Sequence, residues 1–257
     1  MKPRSLLTPS GWEASNRAGF FRWGMILVWL SSGCGGDHPI RAMNSSSLTV
    51  TDVLDRCVAA HRRIHTIRAV GLLRDNRDLV HKVLPIRWDY ARPDRSRLQI
   101  GMDLALVRGA DWWTYDSAMD RYKSHRQITN TPIETSAYFL TDGIPLPLVT
   151  LMTKGKVAFE MDGRRHHEPW KLREVAWKGG RPCYVLARIG RGPDRGQRWT
   201  FWIDQDDYLL RGWIWETGHA KGPPETIWGC TYSEIAVNES MPSDRFQVHK
   251  PKPIESP

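Results

Sequence analysis

Between residues 66 and 126 the apolar residues of this chain recur at every second position, in six short runs separated by Gly, Asp or Asn. That period belongs to strands with one buried face, and those residue types are the ones turns require. The runs predict strands at 66–74, 79–90, 95–101, 103–108, 111–116 and 119–126. Gaps this short favour antiparallel neighbours in sequence order, because parallel strands need long crossovers. A second series follows at 171–177, 182–190, 197–204, 208–217, 225–238 and 245–249. The expected class is therefore mainly β with helices (α+β).

Two segments depart from this period. Thr49-Val50-Thr51-Asp52 has the form of a capping box, with Thr49 as N-cap and Asp52 reaching back. Val53, Leu54, Cys57, Val58, His61, Ile64 and Ile67 then recur at three- and four-residue spacing, the stripe of an amphipathic helix. Residues 132–153 read as one or two short helices with prolines at helix starts. Here Leu140, Ile144, Leu146, Leu148, Val149, Leu151 and Met152 supply more apolar surface than a surface helix needs.

The N-terminal region reads as an export signal. Arg17 and Arg22 precede a compact apolar run, Trp23 to Leu30, followed by Ser31-Ser32-Gly33-Cys34. The run is shorter than the ~20 residues that span a bilayer. Small residues before a cysteine resemble a bacterial lipoprotein signal peptide. The resemblance implies cleavage before Cys34, lipidation of Cys34 by diacylglycerol and palmitate-type acylation, and anchoring to a membrane. The pattern differs at one place, since Leu30 lies four residues before the cysteine rather than three. The resulting organisation is a signal peptide at 1–33, a Gly/Ser/Asn-rich flexible tether at 34–48, one domain at 49–249 and a flexible Pro-rich tail at 250–257.

Composition narrows the function. The net charge is +9, and Lys2, Arg4, Arg17 and Arg22 against Glu13 give +3 of it to residues 1–33. The remaining +6 is scattered, without a run of five or six cations, which reads as a solvated surface; an exported chain of this kind is not expected to bind nucleic acid. Cys57, Cys183 and Cys230 are too few and odd in number for a disulfide framework. Strands holding Cys183 and Cys230 would have two others between them, so both are expected reduced. His61 and His65 are i, i+4 on the first helix, but His61 falls on the apolar stripe and reads as a packed histidine. His166-His167-Glu168 reads as surface. No metal site and no cofactor is expected. Nucleophile-elbow, P-loop, dinucleotide and Cys-x-x-Cys motifs are all missing from the sequence, so no enzyme and no catalytic residue is expected.

The order of helix, strands, central apolar helices and strands resembles the LolA/LolB lipoprotein-carrier superfamily. The residues that carry it span nearly the whole of 49–249: Val53 to Ile67; Arg87-Trp-Asp-Tyr-Ala-Arg-Pro-Asp-Arg-Ser-Arg-Leu98; Gly109-Ala-Asp-Trp-Trp-Thr-Tyr-Asp116; Ile144 to Met152; Arg198-Trp-Thr-Phe-Trp-Ile-Asp204 with Tyr208 to Arg211; and Thr231 to Val248. The resemblance implies a curved antiparallel half-barrel sheet with helices plugging the open side, an apolar cavity that receives acyl chains, and an arginine latch. Lid and cavity candidates are Leu146, Leu148, Val149, Leu151 and Met152, faced by Trp199, Phe201 and Ile203 on one strand and Leu210 and Ile214 on the next. The implied partners are acyl chains or lipoproteins, a membrane through the anchor, and an envelope protein. The implied place is the cell envelope, facing the periplasm, at the outer membrane. A non-enzymatic sensor or scaffold on the same fold is the alternative, and a glycan binder using the ten tryptophans beyond residue 33 is the third.

Overall fold

The computed structural model describes residues 48–76, 81–126, 131–141, 143–144, 146–156, 168–190, 196–218 and 225–254. The signal segment 1–33, Cys34 and the tether up to residue 47 lie outside the described residues, as do His166 and His167.

Helix α1 (Val50–Arg62) starts at the expected capping box: Asp52 N donates to Thr49 Oγ1 at 3.1 Å, and Thr49 N donates to Asp52 Oδ2 at 2.8 Å. Six strands follow: β1 (Thr66–Asp75), β2 (Lys82–Ala91), β3 (Arg95–Ile100), β4 (Asp103–Arg108), β5 (Asp111–Asp116) and β6 (Arg121–Arg126). Helices α2 (Pro132–Leu140) and α3 (Pro147–Lys154) come next, each with proline at its first turn, where the missing N–H costs nothing. Five strands complete the domain: β7 (Lys171–Lys178), β8 (Arg181–Ile189), β9 (Gln197–Asp204), β10 (Leu210–Thr217) and β11 (Glu225–Val237). Gly179 and Gly180, at φ 58° and 75°, make the tight turn between β7 and β8, a backbone shape that other residues adopt only with strain.

All eleven strands form one curved, open antiparallel sheet in the order β6-β5-β4-β3-β2-β1-β11-β10-β9-β8-β7. Sequential pairing holds within each half. The halves join through β1 and β11, not through β6 and β7, because α2 and α3 carry the chain from one open edge to the other. The β1–β11 register runs from Ile67↔Val237 to Asp75↔Trp228, with a bulge between Val70 and Gly71. At Gly71 the strands approach so closely that an added Cβ would sit 2.1 Å from the Thr231 carbonyl oxygen. Beyond the ladder, His65 N donates to Asn238 Oδ1 at 2.7 Å and Thr66 Oγ1 to the Glu239 carbonyl at 2.7 Å.

One sheet face and the three helices enclose the core. Trp88, Trp213, Trp228, Tyr90 and Phe201 are fully buried in a single cluster that draws on both halves of the sheet and on α1, α2 and α3. A smaller cluster on the other face joins Ala91 and Leu106 to Phe246.

Several expectations are corrected. Residues 245–249 are not a strand: Ser243–Phe246 is a 3₁₀ turn after Pro242, laid over the outer face where Phe246 finds Ala91 and Leu106. Strand β10 starts at Leu210 rather than 208, because Tyr208 has φ 58°, a left-handed conformation outside the strand region. Within the segment after Lys250, Pro251 is buried and Gln99 Nε2 donates to the Lys252 carbonyl at 2.7 Å. Cys183 and Cys230 are buried and unbridged, with β9 and β10 between their strands as expected.

His61 confirms its packed reading. It is fully buried on α1, with Nδ1 at 2.7 Å from the Cys57 carbonyl and no hydrogen-bond partner for Nε2 among the described residues. Burial pushes its pKa down to about 4, since a charged imidazole there would lose its water. The unfolded chain takes up a proton near pH 6.5, and the folded chain does not until about pH 4. Stability from this group is therefore complete above about pH 6.5 and falls, by about 3 kcal/mol, as the pH drops to about 4. Asp89 contributes with the opposite sign, because burial raises its pKa. The measurement is urea unfolding between pH 7 and 4 for the protein and for His61→Leu. The stability loss should be smaller in the variant by about that amount; identical pH slopes would contradict it.

Candidate functional site

The site builds from the inner sheet face, where the alternation of β9 places Trp199, Phe201 and Ile203 together. Their partners on β10 are Trp215, Trp213 and Leu210. Leu210 and Trp213 share this face because a bulge between Leu210 and Gly212 inserts one residue and resets the alternation. The same bulge turns Ile214 to the other face, opposite Thr200, so the expectation that Leu210 and Ile214 share a face is corrected. Trp199 stacks on Trp215 at 5.6 Å and lies 6.0 Å from Trp213. Trp170 adds its ring at 4.8 Å from Phe201. These rings make an aromatic inner wall.

Helix α3 belongs to the same apolar cluster as this wall. A helix with a solvent face alternates apolar and polar sides. In α3, Pro147, Leu148, Val149, Thr150, Leu151 and Met152 are all buried. Leu146, Leu148, Val149, Leu151 and Met152 therefore join Trp199, Phe201, Ile203 and Leu210 in one contiguous apolar cluster, and Ile214 stays outside it. Gly155, at φ 60°, ends the helix in the left-handed conformation that suits glycine. Helix α2 packs on β3, β4 and β5, and α3 packs between α1 and α2.

The apolar lining reaches solvent at the open edge. Leu172 and Val175 on β7 pair with Leu186 and Tyr184, which belong to the inner face, and Trp177 follows two residues on. Trp177 is 72% exposed and Val175 51% exposed, high values for residues of this kind.

Arg92 was not distinguishable from the other arginines by sequence. It sits just after β2 and spends its guanidinium on backbone carbonyls. Nε donates to Ile64 O at 2.7 Å, and Nη2 donates to Met152 O at 3.0 Å and His61 O at 3.3 Å. One side chain thus ties the end of α1 and the end of α3 to the sheet. Helix C-termini present carbonyls without partners inside the helix, so a guanidinium is well matched to both. Beside it lies a cavity of about 420 Å³, lined among others by Tyr90, Asp94, Ile133, Glu134 and Lys154. Arg188 was likewise missed: it is a buried cation on the inner face, opposite Trp199, with its guanidinium 5.3 Å from the Trp170 ring centre.

The thiols offer no nucleophile. Burial pushes Cys57 and Cys230 up to about 12 and Cys183 up to about 11, so the reactive thiolate is scarce near neutral pH. No group of His, Cys, Asp and Glu suited to a metal ion occurs among the described residues.

No family model and no curated protein matches the chain. Solved structures similar to it include MucB, at 15% identity and a TM-score of 0.49, covering 79% of this chain. The chain spans 64% of the length of that MucB structure. A LolA superfamily protein from Nitrosomonas europaea matches at 12% identity and a TM-score of 0.35, covering 79% of this chain and 99% of that one. The Mycobacterium tuberculosis lipoprotein LppX matches at 12% identity and a TM-score of 0.45, covering 76% of this chain and all of that one.

Proposed function

We propose that this chain is a lipid-anchored protein of the cell envelope, held by Cys34 to a membrane facing the periplasm, that takes an acyl chain or the acylated part of a lipoprotein between its inner sheet face and α3. The observation that carries this reading is α3 itself. It is a short helix with six consecutive buried residues in the same apolar cluster as the aromatic wall, and its last turn is held by Arg92 on the Met152 carbonyl, Arg62 on the Gly155 carbonyl and Glu134 against Thr153 and Lys154. Displacing it would expose Leu148, Leu151 and Met152 together with Trp199, Phe201, Ile203 and Leu210. An acyl chain can replace those contacts, at roughly 25 cal/mol per Å² of apolar surface kept from water. The latch implied by the family resemblance has a candidate in Arg92. The exposed Leu172, Val175 and Trp177 give the lining a route to the surface.

Leu148→Glu puts a carboxylate where the chain would lie. The expected outcome is a domain that still folds, with loss of fluorescent fatty-acid binding. Circular dichroism, thermal unfolding and the binding assay together separate the cases. A variant that unfolds shows that α3 only completes a packed core, and a folded variant that binds normally rules out this wall.

The anchor is tested on its own. Cys34→Ala should move the protein from the detergent phase to the aqueous phase in phase partitioning. No helix among the described residues is long and apolar enough to cross a membrane. Detergent partitioning that the substitution leaves unchanged would contradict the lipid anchor.

A further inference from the structure

The outer face of β1–β3 concentrates positive charge that acyl binding does not use. Register places Arg68 on β1, Asp89 on β2 and Arg97 on β3 in one row across the sheet. Neighbouring strands are about 4.8 Å apart, so the row is compact. Arg87 lies two residues along β2 on the same face, and Arg245 reaches in from the 3₁₀ turn.

The carboxylate at the centre is fully buried. Asp89 Oδ2 accepts from Arg245 Nε at 2.8 Å and from Arg87 Nε at 3.1 Å, and Arg68 Nε is 3.5 Å from Oδ1. Arg68 also reaches Glu239 at 3.7 Å, an exposed partner. Four guanidinium groups thus face two carboxylates. Arg87 and Arg245 commit only Nε, which leaves their Nη groups without a protein acceptor among the described residues. Arg97 is half-buried and makes no hydrogen bond or ion pair among the described residues. Its charge is felt by Asp89, Arg87 and Tyr122, and Tyr122 already donates its hydroxyl to the His249 carbonyl.

Pinning the 3₁₀ turn to the sheet requires one arginine on Asp89. The other three add mutual repulsion that two carboxylates do not cancel. Guanidinium forks match the oxygens of a phosphate, which accepts several charge-assisted hydrogen bonds at once. We propose that Arg68, Arg87, Arg97 and Arg245 form a binding site, on the outer face of β1–β3, for the phosphate group of a phosphate ester. The shared chemistry covers a soluble ester and the head group of an anionic phospholipid. The site lies on the opposite sheet face from the acyl cleft and stands independently of it.

The test uses the full chain carrying Cys34→Ala, so that no lipid anchor contributes. Its probes are sn-glycerol 3-phosphate in calorimetry and phosphatidylglycerol vesicles, against phosphatidylcholine vesicles, in flotation. Arg87→Gln combined with Arg97→Gln should weaken binding by about tenfold or more while the thermal midpoint is kept. Arg63→Gln, at an exposed position on the end of α1, should leave it within about twofold. Arg97→Lys keeps the charge but loses the fork, and should fall between. Glycerol 3-phosphate binding without vesicle capture supports the site with a soluble ester as ligand. Capture of phosphatidylglycerol vesicles, lost in the double variant, supports it with a lipid head group. Failure of the parent chain to bind either probe overturns the proposal, as does binding that the double variant and Arg63→Gln alter equally.

Discussion

The structure depends on the pairing of the first strand with the last. Without the β1–β11 ladder the chain would be two separate meanders, each with an apolar face too large for its own helices to cover. With it, residues about 170 apart in sequence, such as Ile67 and Val237, become neighbours, and eleven strands share one inner face. The fit at this seam is close. Gly71 allows the bulge against Thr231, and the side chains of Thr66 and Asn238, with the backbone N–H of His65, extend the pairing past the strand ends. Non-local pairing of this kind is costly in loop entropy and is recovered only when the core around Trp88, Trp213 and Trp228 closes.

That seam also explains the division between faces. The inner side is apolar and aromatic, and Arg188 is set against Trp170 within it. The outer side of the same strands carries Arg68, Arg87 and Arg97 around one buried carboxylate. Because strand side chains alternate, β1–β3 supply both surfaces at once: Trp88 and Leu98 face in, while Asp89 and Arg97 face out. The helices then fix access to the inner side, with Arg92 joining two of their ends to the sheet.

Much of this was legible in the sequence because it is encoded locally. The capping box placed α1, and period-two runs with Gly and Asp turns placed all eleven strands to within about three residues at each end, with one further run, 245–249, that is not a strand. The prolines and apolar excess of 144–152 marked α3 as buried. What escaped depends on single-residue shifts or distant partners. The bulge after Leu210 leaves no strong signature, yet it reverses the side on which Ile214 lies. Residues 245–249 alternate like a strand, but the outer patch of Ala91 and Leu106 draws Phe246 into a 3₁₀ turn. Arg92 is one arginine among many until three carbonyls from residues 61, 64 and 152 are seen around it.

The central claim is that the interior between the sheet and α3 accepts an acyl chain. Native mass spectrometry of the intact protein tests it most directly, before and after incubation with excess fatty acid. The account predicts a non-covalent adduct with the mass of a fatty acid or phospholipid, separate from any lipid attached at Cys34. A chain that remains bare under both conditions would contradict it and leave α3 as no more than a plug in a packed core.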